Sequence, residues 1–385
     1  MDFIKVVKSR NEMAEIGQKI VEARSDLYTP LMLSKIMDRI VQEYPNKSKE
    51  IYDEMLYVSI YDYWVYGNNI DEEFYYSFFE KTHEEKLSYM TNRVHSIYVD
   101  YLCCGDAYVD SKERRKRVDQ LEMKYECYKL LKPYYKRDVI EISDESDYAI
   151  FEEFASKHSI FVAKPSDFCY GTGVHKVDMK DYSSTKDAFL KLLEEGKETT
   201  RIHPSRKSSI VLEEVIKQVE ELNAIHPASV NAIRVTVIRD KNGKLNIVHP
   251  WIKVAVGGQF VSSAVYAGFD AEIDVETGVV ISDGYSENGK IFKKHPDTGI
   301  EIKGFVIPKW DELKSFTEEV MSKIPTYGYA GLDLVLTNDG WCVMEINYAG
   351  ECMWQLINGK GCRKEFEDLI GWKMDKEFWW QVRPL

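Results

Sequence analysis

The chain has 385 residues, 44% hydrophobic and 30% charged, with 51 Lys and Arg against 64 Asp and Glu for a formal net charge of −13. This balance excludes a disordered chain and supplies apolar material for two or three domains with cores of their own. The acidic excess argues against a dedicated nucleic-acid binder or a binder of anionic membrane surfaces, and no run approaches the roughly 18 apolar residues of a membrane span.

The opening residues, Met1-Asp2-Phe3-Ile4-Lys5, hold no apolar h-region, so no secretory signal is expected. Seven cysteines without a CxxC pair fit reduced thiols in a cytoplasm better than a disulfide framework or a zinc site. Residues 1–120 are expected to be mostly helical, because apolar residues recur at helical spacing in Leu33, Ile36-Met37 and Ile40-Val41. Tyr52, Tyr57, Tyr61, Tyr63, Tyr66, Tyr75 and Tyr76 crowd this region. They read first as helical core with amphipathic rims, and second as a sugar-stacking surface. The basic run Lys112 to Arg117 reads as a solvated helix face, with anion steering as the alternative.

After about residue 137 the texture becomes α+β. Strands are expected at Ile160–Ala163, Ser209–Leu212, Ala232–Ile238 and Leu245–Val248, the last two joined by the turn Asp240-Lys241-Asn242-Gly243. Helices are expected at Lys186–Glu195 and Trp310–Lys323. No GxGxxG follows a strand, so a dinucleotide fold has no fingerprint.

Chemistry concentrates in three places. The runs Gly331–Thr337 and Trp341–Asn347 flank Asn338-Asp339-Gly340, a hairpin signal. With a three-residue loop, Thr337 pairs with Trp341. Asp333 then faces Glu345, and Asn347 shares that face. Two carboxylates opposed across strands repel unless a cation lies between them, and three hard oxygen ligands suit Mg²⁺. A surface hairpin with ordinary polar alternation is the alternative. Second, a strand ends in Lys164 and is followed by a loop with Gly171, Thr172 and Gly173 and a further strand, Val174–Val177. Glycine backbone can wrap an anion and a lysine supplies a point charge for phosphate, although the motif is not a P-loop. Third, Val211-Leu212-Glu213-Glu214-Val215-Ile216 runs from a buried strand into two acids. It can offer backbone groups to an adenine edge and a carboxylate to its amino group or ribose.

A lysine before a glycine loop, an acidic hinge, and Asp…Glu-x-Asn together resemble the ATP-grasp superfamily. His226-Pro227-Ala228-Ser229-Val230-Asn231-Ala232-Ile233-Arg234-Val235, Ala267-Gly268-Phe269-Asp270, Ile273-Asp274-Val275-Glu276-Thr277-Gly278, His295-Pro296-Asp297-Thr298-Gly299 and Ile307-Pro308-Lys309-Trp310 resemble the sugar-transfer-associated ATP-grasp family. The order and spacing agree from about residue 115 to residue 360. The fold this implies is α+β, two α+β lobes clasping ATP behind a helical N-terminal region. Its parts would be a helical region 1–120 and an ATP-grasp domain 121–385. Within the latter lie a glycine-loop subdomain at about 137–215, a catalytic lobe at about 216–360 and a tail at 361–385.

The resemblance implies roles. Lys124 and Lys164 match the two ATP-phosphate lysines, and Gly171, Thr172 and Gly173 the loop closing over the triphosphate. Glu213 would accept from the adenine amino group, and Glu214 belongs to the same hinge. Val215 and Ile216 would give backbone contacts, and Glu220, with Glu221 as competitor, would bind ribose. Asp333, Glu345 and Asn347 match the Mg²⁺ ligands. Arg234 would steady the transferred phosphoryl, with Asn231 as its partner. Two departures, Phe260-Val261-Ser262-Ser263-Ala264 in place of an Asp-Asn pair and Lys253 in place of an arginine, touch the acceptor side. The implied activity is an ADP-forming ligation of a carboxylate, preferably of a uronic acid in a cell-surface polysaccharide or its precursor, to an amine donor. The alternatives are a peptide or amino-acid ligase, a sugar kinase, and a non-catalytic ATP-binding scaffold. Neither nucleic acid nor a membrane segment enters this reading.

Overall fold

The computed structural model describes residues 1–166, 171–202, 209–258, 260, 268–286, 289–349 and 354–383, the side chains of 199–202 excepted. Two of the seven cysteines, Cys169 and Cys352, together with Ala267 and the stretch Val261 to Ala264 quoted above, lie outside the described residues. The helices are α1 Arg10–Ala23, α2 Pro30–Glu43, α3 Lys49–Tyr66, α4 Ile70–Tyr75, α5 His83–Ser88, α6 Asn92–Cys104, α7 Ser111–Glu122, α8 Lys124–Tyr135, α9 Tyr148–Lys157, α10 Thr185–Ile202, α11 Glu220–Asn223, α12 Trp310–Lys323, α13 Trp354–Asn358, α14 Arg363–Ile370 and α15 Trp379–Val382. The strands are β1 Val139–Ile142, β2 Ile160–Pro165, β3 His175–Asp178, β4 Ile210–Glu214, β5 Ala232–Arg239, β6 Leu245–Val254, β7 Phe269–Glu272, β8 Gly284–Tyr285, β9 Ile291–Phe292, β10 Tyr329–Thr337 and β11 Gly340–Asn347. No described helix is long and apolar enough to cross a membrane. Contacts divide the chain into one unit of Met1–Val109, Arg239–Lys244 and Cys352–Leu385 and a second of Asp110–Ile238 and Leu245–Glu351.

The first unit is helical because its punctuation says so. Ser48 accepts from the Ile51 amide at the start of α3, and Gly67, at φ +77°, ends it in the left-handed region that a side chain rarely adopts. Asn69 with Glu72 and Thr82 with Glu85 form capping boxes on α4 and α5. The crowded tyrosines serve the core. Tyr61, Tyr66 and Tyr76 are buried, and the Tyr61 hydroxyl accepts from the Val7 amide at 3.0 Å and donates to the Lys5 carbonyl at 3.2 Å. The Tyr66 hydroxyl meets His83 Nδ1 at 2.9 Å and the Tyr76 hydroxyl accepts from Gln355 Nε2 at 3.3 Å, so these three rings are buried with their polar ends satisfied. The C-terminal aromatics join the same core: Trp379 is buried against Tyr63 and Trp64, and its indole N–H donates to the Tyr63 carbonyl at 2.8 Å.

Inside this unit Asp62, Glu73 and Lys86 are buried together. Lys86 Nζ lies 2.5 Å from Asp62 Oδ2, and Asn68 Nδ2 donates to Glu73 Oε2 at 2.7 Å. Burial first, and the neighbouring Asp62 second, push the Glu73 carboxyl well above its ordinary range. The folded protein therefore keeps a proton that the unfolded chain releases above about pH 4.3, so stability falls as pH rises from there toward the raised value. Glu73→Gln is expected to remove this slope. Thermal unfolding of both proteins from about pH 4.3 upward should show the variant gaining on the wild type as pH rises.

The second unit carries two antiparallel sheets, a four-stranded one in the order β1-β4-β2-β3 and a seven-stranded one in the order β11-β10-β5-β6-β7-β8-β9. In the smaller sheet Ile142, Phe161, Ala163, Ile210 and Leu212 pack against Phe151 and Phe154 of α9 and Phe189, Leu192 and Leu193 of α10. In the larger sheet β5 and β10 are buried along almost their whole length, which places any charged side chain there at a cost unless it is paired. Helix α12 occupies the expected span, whereas α10 and β6 run past the expected Glu195 and Val248. The basic run lies on α7, where Arg115 pairs with Asp119 and Arg117 with Glu113, one turn away on the same helix.

Candidate functional site

The hairpin of β10 and β11 sets the site. Thr337 pairs with Gly340 and Leu336 with Trp341, so the loop has two residues, not the expected three. Taken alone, that slip would put Met344 opposite Asp333 and turn every following side chain to the wrong face. A bulge corrects it: Leu334 pairs with Val343 and Asp333 with Glu345, leaving Met344 as the extra residue. The opposed carboxylates are thus where the sequence reading put them, through two offsets that cancel.

Asp333 also pairs on its other side with Arg234 of β5. One row across three strands therefore reads Arg234, Asp333, Glu345. Arg234 Nε and Nη2 donate to the two Asp333 oxygens at 2.6 and 3.0 Å, and Lys253 Nζ of β6 lies 3.6 Å from Asp333 Oδ2. Burial alone would raise the Asp333 carboxyl, but Arg234 first and Lys253 next hold it below its ordinary range. Glu345 is different: its side chain is 35% exposed, with Lys124 Nζ at 3.7 Å from Oε1. Asn347 Nδ2 donates to the Gly331 carbonyl at 3.4 Å, which leaves Oδ1 as its ligand atom. Asp333, Glu345 and Asn347 are a hard oxygen donor set on neighbouring strands, which fits Mg²⁺.

A narrow cleft is lined by Lys124, Cys127, Lys164, Glu213, Met344 and Glu345, among others. It brings together α8, β2, β4 and β11. Lys124 opens α8, and its amide donates to the Ser166 carbonyl just after β2. Lys164 Nζ lies 2.9 Å from Glu213 Oε2, and the Arg137 guanidinium approaches the same oxygen at 2.8 and 2.9 Å. Burial opposes ionisation of Glu213, but Arg137 and then Lys164 outweigh it and bring the carboxyl down to about 2. Glu213 is thus an ionised anchor for two cations through Oε2, beyond the adenine-facing role expected of it. Cys127 faces the cleft as a thiol, pushed up to about 12 by burial. A thiol that far from its thiolate form is no nucleophile at neutral pH.

Arg137 escaped the sequence reading. It lies in the three-residue link between α8 and β1, and no motif flagged it; the acidic Glu213 in a buried strand was the one signal pointing to a buried cation.

The remaining expected residues are more dispersed. Asn231 does not partner Arg234. Asn231 lies just before β5, and its Nδ2 instead donates to the Leu222 and His226 carbonyls at 2.8 and 3.1 Å, tying the loop that leads into the strand. Glu214 accepts from the Asp138 amide at 3.3 Å. Val215 and Ile216 follow β4 half-buried, and Ile216 packs with Met344 against Ala232, Val335 and Cys342. Glu220 and Glu221 are exposed at the start of α11. Gly171 and Gly173 both have φ near +73°, on either side of exposed Thr172, a conformation glycine adopts without strain. His226 is buried with its ring 5.0 Å from His295, and His249 lies 2.6 Å from Glu272 Oε1.

Two antiparallel sheets, two lysines at one cleft and a carboxylate pair on the neighbouring hairpin define an ATP-grasp fold. The sugar-transfer associated ATP-grasp family model matches residues 108–369, and the chain belongs to that family. Similar solved structures include D-alanyl-alanine synthetase A from Vibrio cholerae O1 biovar eltor, 14% identical over 62% of this chain and 60% of that one, with a TM-score of 0.37. The ATP-grasp ligase PsnB, solved with a minimal precursor variant, Mg and ADP, is 13% identical over 73% of this chain and 63% of its own, with a TM-score of 0.36. The D-alanine-D-alanine ligase of Coxiella burnetii is 11% identical over 65% and 57%, with a TM-score of 0.35. The match thus spans less than two thirds of each of those chains. No curated protein sequence matches the chain.

Proposed function

We propose that the protein is an ATP-dependent, ADP-forming carboxylate–amine ligase. The observation that carries this reading is the row Arg234, Asp333, Glu345 beside a cleft holding Lys124 and Lys164. It is a set of fixed cations and carboxylates with no activated nucleophile, which suits phosphoryl transfer by positioning and charge neutralisation.

In this reading Lys124 and Lys164 hold the phosphates of ATP, and the glycine loop with Thr172 covers them. The hinge Glu213, Glu214, Val215 and Ile216 receives the adenine, and Glu220 the ribose. Asp333, Glu345 and Asn347 would hold Mg²⁺, which when bound neutralises phosphate charge. The γ-phosphoryl passes to a substrate carboxylate oxygen, giving an acyl-phosphate and ADP. The amine then attacks the acyl carbon, the amide forms, and phosphate leaves with the oxygen it took from the carboxylate. Arg234 faces the developing charge in both steps, and its bidentate hold on Asp333 keeps the guanidinium plane fixed. The division at about residue 120 into a helical region and a catalytic part belongs to the same reading.

Membership of a sugar-transfer associated family supports a glycan-linked carboxylate, and we assign a uronic acid of a cell-surface polysaccharide or its precursor as the acid, acted on in the cytoplasm. Incubation of the protein with Mg·ATP and mixed pools of uronic acids and amines tests this. ADP and phosphate are expected only when both pools are present. ADP with a phosphorylated sugar and no free phosphate would make the protein a kinase. Turnover with amino acids alone would make it a peptide ligase, and nucleotide binding with no turnover on any pool would point to a scaffold.

A further inference from the structure

We infer that Arg137 is a positioning residue of the nucleotide–metal site, one that fixes the bulge in front of Glu345 and ties it to the lysine-bearing side of the cleft. The inference rests on the reading of Asp333, Glu345 and Asn347 as the Mg²⁺ ligands. A guanidinium has five N–H bonds in a rigid plane, and here the group makes four hydrogen bonds and one further ion-pair contact. Nε donates to Glu213 Oε2 at 2.9 Å, and Nη2 lies 2.8 Å from the same oxygen as an ion pair. Nη1 donates to the Tyr135 carbonyl at 3.1 Å and to the Val343 carbonyl at 2.6 Å, and Nη2 also donates to the Met344 carbonyl at 3.2 Å. The side chain is 3% exposed, and its carbon Cζ lies 4.6 Å from the centre of the Tyr135 ring.

The recipients are not arbitrary. Val343 and Met344 are the two residues at the bulge, where the extra residue falls out of the strand ladder. That bulge brings Glu345, and not Met344, opposite Asp333. Glu213 in turn is the carboxylate that Lys164 contacts. One side chain therefore links the end of α8, the bulge and the partner of a phosphate lysine, without itself lying among the expected ligands. Lysine could keep a point charge on Glu213 but has no plane of donors to span both bulge carbonyls.

Arg137→Lys separates these duties. Mg²⁺ would be titrated calorimetrically into the full chain saturated with ADP, and ADP into the chain in EDTA, for wild type, Arg137→Lys and Glu345→Ala. Arg137→Lys is expected to weaken Mg²⁺ binding about tenfold, the scale of losing a group that orients metal ligands, while leaving ADP binding in EDTA within about threefold. Mg²⁺ affinity within about threefold of wild type, with Glu345→Ala impaired, would overturn the inference and leave the site reading standing. Wild-type protein showing no Mg²⁺ binding with ADP would remove the site reading and the inference with it. Circular dichroism checks the fold, with Arg137→Gln as the second variant. If both variants unfold, Arg137 acts on stability alone and the positioning role is wrong.

Discussion

Glu345→Ala is expected to lower ATP turnover by a hundredfold or more, about the loss seen when one preorganised electrostatic group is removed, while barely moving thermal unfolding. The two halves of this result have separate origins. Glu345 lies on the exposed side of the row, 35% accessible, with Lys124 3.7 Å away. An ion pair at that depth and distance contributes at most about 1 kcal/mol to stability. In the proposed reaction its value lies in what it does for a bound nucleotide and metal, where it is one of two carboxylates on neighbouring strands. A variant with wild-type turnover would remove Glu345 from the site.

Asp333→Ala is expected to lose stability as well as turnover. Asp333 is 2% exposed and meets Arg234 through two hydrogen bonds and Lys253 at 3.6 Å. Removing it leaves a buried guanidinium without its counter-charge, and breaking a buried pair on one side costs about 3–5 kcal/mol. For a cooperative unit of the size that holds Asp333, Asp110–Ile238 with Leu245–Glu351, that corresponds to a fall in melting temperature of roughly 6–20 °C. Two carboxylates directly opposite each other thus differ in structural load: Asp333, besides its proposed place among the Mg²⁺ ligands, neutralises a buried arginine, and the more exposed Glu345 carries no such load. Calorimetric unfolding of the two alanine variants side by side checks this. Equal melting temperatures would contradict that difference.

The contrast also shows what could be read in advance. The fold class followed from alternation and turn signals: Asn338-Asp339-Gly340 between two apolar runs is visible in any sequence. The pairing of Asp333 with Glu345 was legible, but its mechanism was not. A bulge at Met344 leaves no sequence mark, because it depends on which carbonyls a distant arginine can reach. The Arg234–Asp333 pair spans 99 positions and is decided by the strand order that places β5 beside β10. Local reading offered Asn231 instead, a near neighbour in the chain whose side-chain amide is taken up by the loop before the strand. Glu213 was singled out, yet its two cations, Arg137 and Lys164, come from different elements and could be matched to it only once β2 and β4 were paired. Pattern gave the elements and the residue types. Long-range pairing decided which charges meet.

The central claim is that a carboxylate is activated by phosphoryl transfer before an amine attacks it. Labelling both oxygens of the acid substrate with ¹⁸O and analysing the phosphate released on turnover with Mg·ATP and the amine tests that claim most directly. The account predicts one labelled oxygen in each phosphate released, because the acyl-phosphate breaks at the carbon. Unlabelled phosphate alongside amide product, or label retained entirely in the acid-derived product, would contradict it.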